Sequence, residues 1–506
     1  MNNKLEKITQ SNRNVTILNI VTSLLYEVIV LVYGLLVPRL ILGAFGSEVN
    51  GLTSSISQFL NLITILEGGI GGVIKAALYK PLANHDDKKL SAVYNAAESF
   101  YKKLALIYVC YGIGIAIFYP IIFNVNFSWS FVFALTLIIA SQSFVQYFFS
   151  INLRTLIQAD RRGFVVSIIS SLMQIVNAVA VILVIKIYPN VLLLKGVGLA
   201  IFILQPIIYT AYVKKHYIID KKEPADKEAL KQRWDGFGQN LAYFIHSNTD
   251  VVLLTIFGTL LDVSVYNVYF MVVAALRTLV SSVGSSISPT LGNVIAKGSE
   301  EDKNRAFDIY TFAQNAITTV CFTCGIILIT PFVMVYTNGI TDVDYFHPWL
   351  GYLLMLAEAV YCYRVPYVNI SYIYGHFKQT AIYAYIEAGL NIVVSIIFYQ
   401  FMGVEGIALG TLIAMLFRMV VNIVYTKIQL IKRPLMKAGI AYLVQGLTII
   451  SAFLITMFIE IDVNSYMSWI LFGVIAFAIS AVIWLIYTMI FERKIFMNTL
   501  KYVLKR

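Results

Sequence analysis

"GAFGSEVNGLTSSISQFL", residues 43–60, has a counterpart later in the chain. Moved forward by 212 positions it falls on "TIFGTLLDVSVYNVYFMV", residues 255–272. In both places a short glycine-bearing turn joins two long apolar runs. Near an offset of 210, "GVGLA" at 196 meets "GIALG" at 406, and near 214 Asn177 in "IVNAVAVIL" meets Asn391 in "GLNIVVSII". Matches that recur in order mark an internal repeat. The offset contains an even number of apolar runs, so the two copies share one orientation, about an axis along the membrane normal.

The medium of these runs follows from composition. Of 506 residues, 59% are hydrophobic and only 13% charged, against about 25% charged in soluble proteins. Runs of about 20 apolar residues cross a bilayer as helices. The boundaries predict fourteen spans: 15–42, 49–79, 91–121, 127–152, 163–187, 191–214, 234–257, 261–293, 304–331, 344–373, 378–401, 404–428, 435–460 and 465–491. Continuous rather than alternating hydrophobicity argues against a β-barrel. The first run is too long for a removable signal and has no small-residue cleavage site, so it stays as a span. The expected fold is an all-α polytopic membrane protein with a six-helix lobe over 1–215, a basic cytoplasmic linker over 216–233, a second six-helix lobe over 234–430, and two extra helices with a basic tail over 431–506.

A net charge of +11 would suggest nucleic acid in a soluble chain. Here Lys80, Lys88, Lys89, Arg154, Arg161, Arg162 and the run from Lys214 to Arg233 fall on one side, with only Arg39, Lys186 and Lys195 opposite. By the positive-inside rule both termini are cytoplasmic, and the basic excess reads as topology and lipid attraction, without a nucleic-acid partner. Cys110, Cys321, Cys324 and Cys362 all lie in apolar runs and read as small buried hydrophobes. The CxxC of Cys321 and Cys324 has no second pair or nearby histidine to make a zinc site.

Charged residues deep in a span are costly and usually face a bundle interior or a cavity. Glu27, Glu67, Arg277 and Glu358 fall near the expected midplane. Arg277, in "VVAALRTLVSSVG", is too deep to snorkel; it either closes a buried ion pair or faces a cavity, where guanidinium suits phosphate. At the 212 offset it meets Ile65, two residues before Glu67 in "ILEGGIGGVIKAAL", which raises an exchange of partners between Glu67 and Arg277. Gly68, Gly69, Gly71 and Gly72 serve close packing or bending, as does the small-residue stretch from Val280 to Pro289. Lys75, about 12 Å beyond Glu67 along a helix, either snorkels or meets an anionic headgroup. Arg364 and Arg418 allow the same two readings. His246 with Asp250, and Glu387 with Asn391, share helix faces four residues apart and are candidate oxygen and nitrogen groups for a coupling cation, Na+ or H+. Residue counts set Asp250 about 10 Å further out than Glu387.

These residues lead to a resemblance. "PRLILGAFGSEVNGL" from 38 to 52, with Arg39 and Gly51, "GGIGGVIKAAL", "NTDVVLL" and "QADRRGF" resemble the polysaccharide, or Wzx-type, flippases of the superfamily that also holds multidrug exporters and the lipid II flippase. The resemblance implies two six-helix bundles, alternating access, and an undecaprenyl-pyrophosphate-linked oligosaccharide as substrate in a bacterial plasma membrane, for capsule, exopolysaccharide or other surface-glycan synthesis alongside glycan-assembly enzymes. It places a cavity-facing cation at Arg277. Glu27 and Glu67 depart from the arginine-rich lipid II pattern. A cation-coupled multidrug exporter or a lipid II-type flippase is the alternative on the same fold. Nothing in the sequence carries a phosphate loop, a paired-histidine metal motif or a nucleophile elbow. No cofactor and no enzymatic activity are therefore expected, and the short outer connections argue against a glycan polymerase.

Overall fold

A computed structural model describes residues 12–504 apart from 68–69, 124, 227 and 231–236. Gly68 and Gly69 of the glycine cluster, and the side chains of His246 and Pro289, lie outside the described residues. What is described is 87% helix, without strands. The chain is an all-α polytopic membrane protein, and eleven of its described helical stretches are long and apolar enough to cross a membrane.

The opening stretch shows how the runs become separate helices. α1, Asn12–Asn61, spans the first two apolar runs and is broken at Gly46, whose φ of 83° and ψ of 173° are essentially closed to any residue with a side chain. At the repeat position, 212 residues on, Gly258 follows α8 (Phe237–Phe257), and Thr259 starts α9 (Leu260–Lys297) with a capping box to Asp262. One turn is made by a glycine alone and the other by a glycine plus a cap.

The chain divides between residues 241 and 242 into two compact units. In the first, α1 is followed by a 3-10 turn, Leu62–Glu67, and then by α2, Ile70–Ala83. The second run, expected to be one span over 49–79, is thus interrupted by a 3-10 turn over Leu62–Glu67. α3 (Asp87–Ile122) precedes α4 (Trp129–Val145), which passes through a π turn at Gln146–Ser150 into α5 (Ile151–Ala159). α6 (Gly163–Ile187) and α7 (Val191–His216) complete the unit's membrane helices. α1 packs on α6: Asn177 donates to the Tyr33 hydroxyl at 2.7 Å, and Asn19 accepts from the backbone of Phe164 at 2.6 Å. Part of the expected linker folds back on α3, where Asn95 donates to the carbonyls of Asp220 and Glu223 at 2.9 Å.

The second unit continues through α9 to α10 (Glu300–Tyr336), α11 (Pro348–Ile373), α12 (Phe377–Met402) and α13 (Val404–Tyr425). α12 and α13 form a hairpin around Gly403. Their backbones touch: a Cβ on Gly406 would lie 2.3 Å from the Phe398 backbone, and one on Gly410 2.2 Å from Ser395 Oγ. This "GIALG" is a small-xxx-small contact, in which missing side chains let backbones approach. α14 (Met436–Thr456) and α15 (Tyr466–Phe491) lie on α10 through Ala452, Phe472, Ala476 and Ile327. Thr319 of α10 also hydrogen-bonds Gln445 of α14 and the Tyr363 hydroxyl of α11. The basic tail is itself a helix, α16, Arg493–Leu504.

One sequence expectation fails for a plain reason. Cys110 is exposed, because apolar character in a span does not separate the helix side that packs on protein from the side that faces lipid. Cys362 is buried, Cys321 and Cys324 are half-buried, and all four are free.

Candidate functional site

In the second unit the buried charges join into one network. Glu358, Tyr361 and Arg364 follow one another at three-residue intervals on α11 and so share a face. Arg277 of α9 donates to Glu358 Oε1 at 2.9 Å. Arg364 donates to Glu387 Oε1 of α12 at 2.6 Å, and Arg418 of α13 to Glu387 Oε2 at 2.8 Å. The Tyr361 ring lies 4.7 Å from the Arg364 guanidinium and 5.6 Å from that of Arg277, linking the two ion-pair groups. Three arginines and two glutamates take part in it. Side-chain exposure falls from 12% at Arg277 to 9% at Arg364 and 5% at Arg418, so Arg277 is the most accessible cation of the three.

A second polar cluster adjoins it on α12. Thr411 of α13 contacts both carboxylate oxygens of Asp250, at 3.0 and 2.9 Å, and the Tyr266 hydroxyl donates to Asp250 Oδ2 at 2.6 Å. Asn391 donates to Thr411 Oγ1 at 2.8 Å, and its own Oδ1 is buried without a partner among the described residues. Asp250 and Asn391 are thus brought together through Thr411, whereas both oxygens of Glu387, one turn from Asn391, are held by arginines. Asp250, Asn391 Oδ1 and Thr411 are hard oxygen groups of the kind that suits Na+. Among the described residues no group of three or more His, Cys, Asp and Glu side chains could hold a metal.

In the first unit Glu67 ends the 3-10 turn and accepts a hydrogen bond from the Tyr147 hydroxyl at 3.3 Å. Lys75 on α2 is half-buried and Glu27 on α1 is exposed. The structure also holds a polar cavity of about 260 Å³ that the sequence reading missed. Gln142, Gln146, Ser150 and Arg154 line it from α4, the π turn and α5, and Ser170 of α6 and Gln205 of α7 close it. Gln205 donates to Ser170 Oγ at 3.0 Å. The signal was the spacing: four polar residues at intervals of four form a stripe along one face. Each alone reads as a tolerated polar residue.

Known proteins bear on this geometry through shape. No family model matches the sequence, and no curated protein matches it. Solved structures do match. A lipid II flippase MurJ in an inward closed conformation is 17% identical, with a TM-score of 0.68 over 95% of this chain and 100% of that one. The chain has the fold of these transporters. An inward-facing multidrug resistance MATE family transporter of the MOP superfamily is 12% identical, with a TM-score of 0.61 over 79% of this chain and 94% of that one. A MOP superfamily transporter from Pyrococcus furiosus, described by a reversed polarity of its binding pocket, is 12% identical at a TM-score of 0.56 over 83% and 97%. These similar structures are a flippase and transporters, not enzymes.

Proposed function

We propose that this protein is a Wzx-type flippase that carries a polyprenyl-pyrophosphate-linked oligosaccharide across the bacterial plasma membrane by alternating access, with both termini cytoplasmic. The observation that carries this reading is Arg277, the most accessible guanidinium of the buried network, held by Glu358 in the second unit. A guanidinium fork suits an anion with several oxygens, and pyrophosphate is such an anion. Arg277 exchanges Glu358 for the pyrophosphate, while Arg364 and Arg418 sustain the positive potential behind it. Lys75 meets the headgroup at entry, and Glu67 and Glu27 exchange protons or ion pairs during the cycle. Like one of the structures that share its fold, a lipid II flippase, it would handle a lipid-linked substrate.

A leaflet assay in proteoliposomes with labelled lipid-linked oligosaccharide tests this. The wild-type chain flips the lipid without covalent change, and Arg277→Ala slows flipping at least about tenfold, the effect of losing roughly 1.4 kcal/mol of binding. Removing Arg277 leaves Glu358 buried, so Arg277→Ala/Glu358→Ala separates loss of function from loss of fold. Wild-type flipping by a folded double variant refutes the role of Arg277.

A cation-coupled multidrug exporter is the second reading, favoured by the Asp250, Thr411 and Asn391 cluster. It predicts drug efflux that Asp250→Asn abolishes. Absence of efflux in cells that still export surface glycan excludes it.

A further inference from the structure

A groove on the exposed surface of the first unit belongs to none of the sites above. It runs between the end of α4 with its π turn and α7, holds about 560 Å³, and is lined by Val145, Phe149, Ile203, Pro206 and Ile207. Phe149 and Ile207 are exposed, so the groove faces the surroundings of the helices. Two local features shape it: the π turn swells the helix at Phe149, and Pro206 interrupts the hydrogen bonding of α7.

At the basic end of α7 the groove does not stop. Phe149, Thr210 and Lys214 line both the groove and a second cavity of about 480 Å³, so the two adjoin. The second cavity is basic and aromatic. Lys221 and Lys102 both pair with Glu98, at 2.5 and 3.2 Å, and their ammonium groups lie over the rings of Tyr94 and Phe148, at 4.8 and 5.7 Å. Lys214 has no ion-pair partner among the described residues. Three lysines face one glutamate, and Lys214 among them lies in the last turn of a membrane helix, where headgroups lie.

An apolar slot at membrane depth that ends in a pocket of excess positive charge has the form of a phospholipid site. We propose that the groove and pocket together bind one anionic glycerophospholipid, such as phosphatidylglycerol, with an acyl chain along Ile203, Ile207 and Phe149 and the phosphate among Lys102, Lys214 and Lys221. Charge selects the occupant. A zwitterionic headgroup leaves the lysine excess unanswered. The site is separate from the arginine network and does not depend on what the protein transports.

Native mass spectrometry of the full chain in detergent tests the proposal, with phosphatidylglycerol, phosphatidylcholine and a polyprenyl monophosphate in equal amounts. The expected result is preferential retention of one phosphatidylglycerol. Lys214→Gln weakens that retention about fivefold, the effect of one lysine near an anionic lipid, and Ile207→Trp weakens it by filling the slot. Lys378→Gln, an exposed lysine of α12, leaves it unchanged. Unchanged thermal melting of each variant shows that the fold is intact, and Lys214 and Ile207 are exposed enough to change without cost to packing. Equal retention of phosphatidylcholine, preference for the polyprenyl phosphate, or indifference to both groove variants overturns the proposal.

Discussion

Replacing Glu387 by glutamine removes one charge and almost no volume, and it strikes the point where three helices are tied together. Glu387 lies on α12, and its two oxygens hold Arg364 of α11 and Arg418 of α13 at 2.6 and 2.8 Å. Each pair attracts by about 4 kcal/mol at a charge separation near 4 Å and an effective dielectric constant of 20. Desolvation of the buried ions offsets much of this in the intact protein. Once the carboxylate is gone the offset remains and the attraction does not, which costs about 3–5 kcal/mol for a broken buried pair. The two arginines, at most 9% exposed, then face each other with no anion between them. Thermal unfolding in detergent should show Glu387→Gln strongly destabilised. Glu387→Gln/Arg418→Met, which removes one of the stranded cations, should recover a substantial part. A Glu387→Gln protein within about 0.5 kcal/mol of wild type, the range of ordinary surface changes, would refute the argument. So would a double variant no more stable than the single one.

Two glycines, one in each repeat, should respond unequally to alanine. A Cβ at Gly410 would lie 2.2 Å from Ser395 Oγ and 2.5 Å from its backbone nitrogen, whereas at Gly198 of the first repeat the nearest atom is Asn177 Oδ1 at 3.3 Å. Gly410→Ala should cost about 1–3 kcal/mol and Gly198→Ala distinctly less; equal losses in melting temperature would contradict the packing described. Glu492 caps the end of α15 and is 8% exposed, and burial raises its pKa from 4.5 to about 7. The folded state therefore favours the neutral acid. The stability this gives is complete below pH 4.5 and is lost as pH rises through 7, on the order of 2 kcal/mol after allowing for partial solvent access. Melting should fall between pH 5 and pH 8 in wild type and change less in Glu492→Gln; parallel profiles would count against it.

Much of the fold was legible because bilayer chemistry leaves few options. Hydropathy located the helices, and the match of residues 43–60 with 255–272 located two turns at Gly46 and Gly258. It could not show that the run over 49–79 breaks at Leu62, since 3-10 and α turns use the same residues. The charged candidates were legible as expensive residues but not as partners. Which of Glu358 and Glu387 meets which arginine depends on how each helix is rotated, and a few tens of degrees would exchange them. The α11 helix illustrates the limit: its five tyrosines, Glu358 and Arg364 make it less apolar than a lipid-facing span, and this marks it as an interior helix without naming its neighbours. The polar stripe from Gln142 to Arg154 was readable by spacing. It passed unnoticed because only its last member is charged.

The six residues from Leu62 to Glu67 carry a mechanical consequence. A 3-10 helix advances about 2.0 Å and turns about 120° per residue, against about 1.5 Å and 100° for an α-helix. Rewinding all six to α would shorten this turn by about 3 Å and rotate its far end by about 120°. Such a screw would pull the Glu67 carboxylate away from the Tyr147 hydroxyl, which donates to it at 3.3 Å.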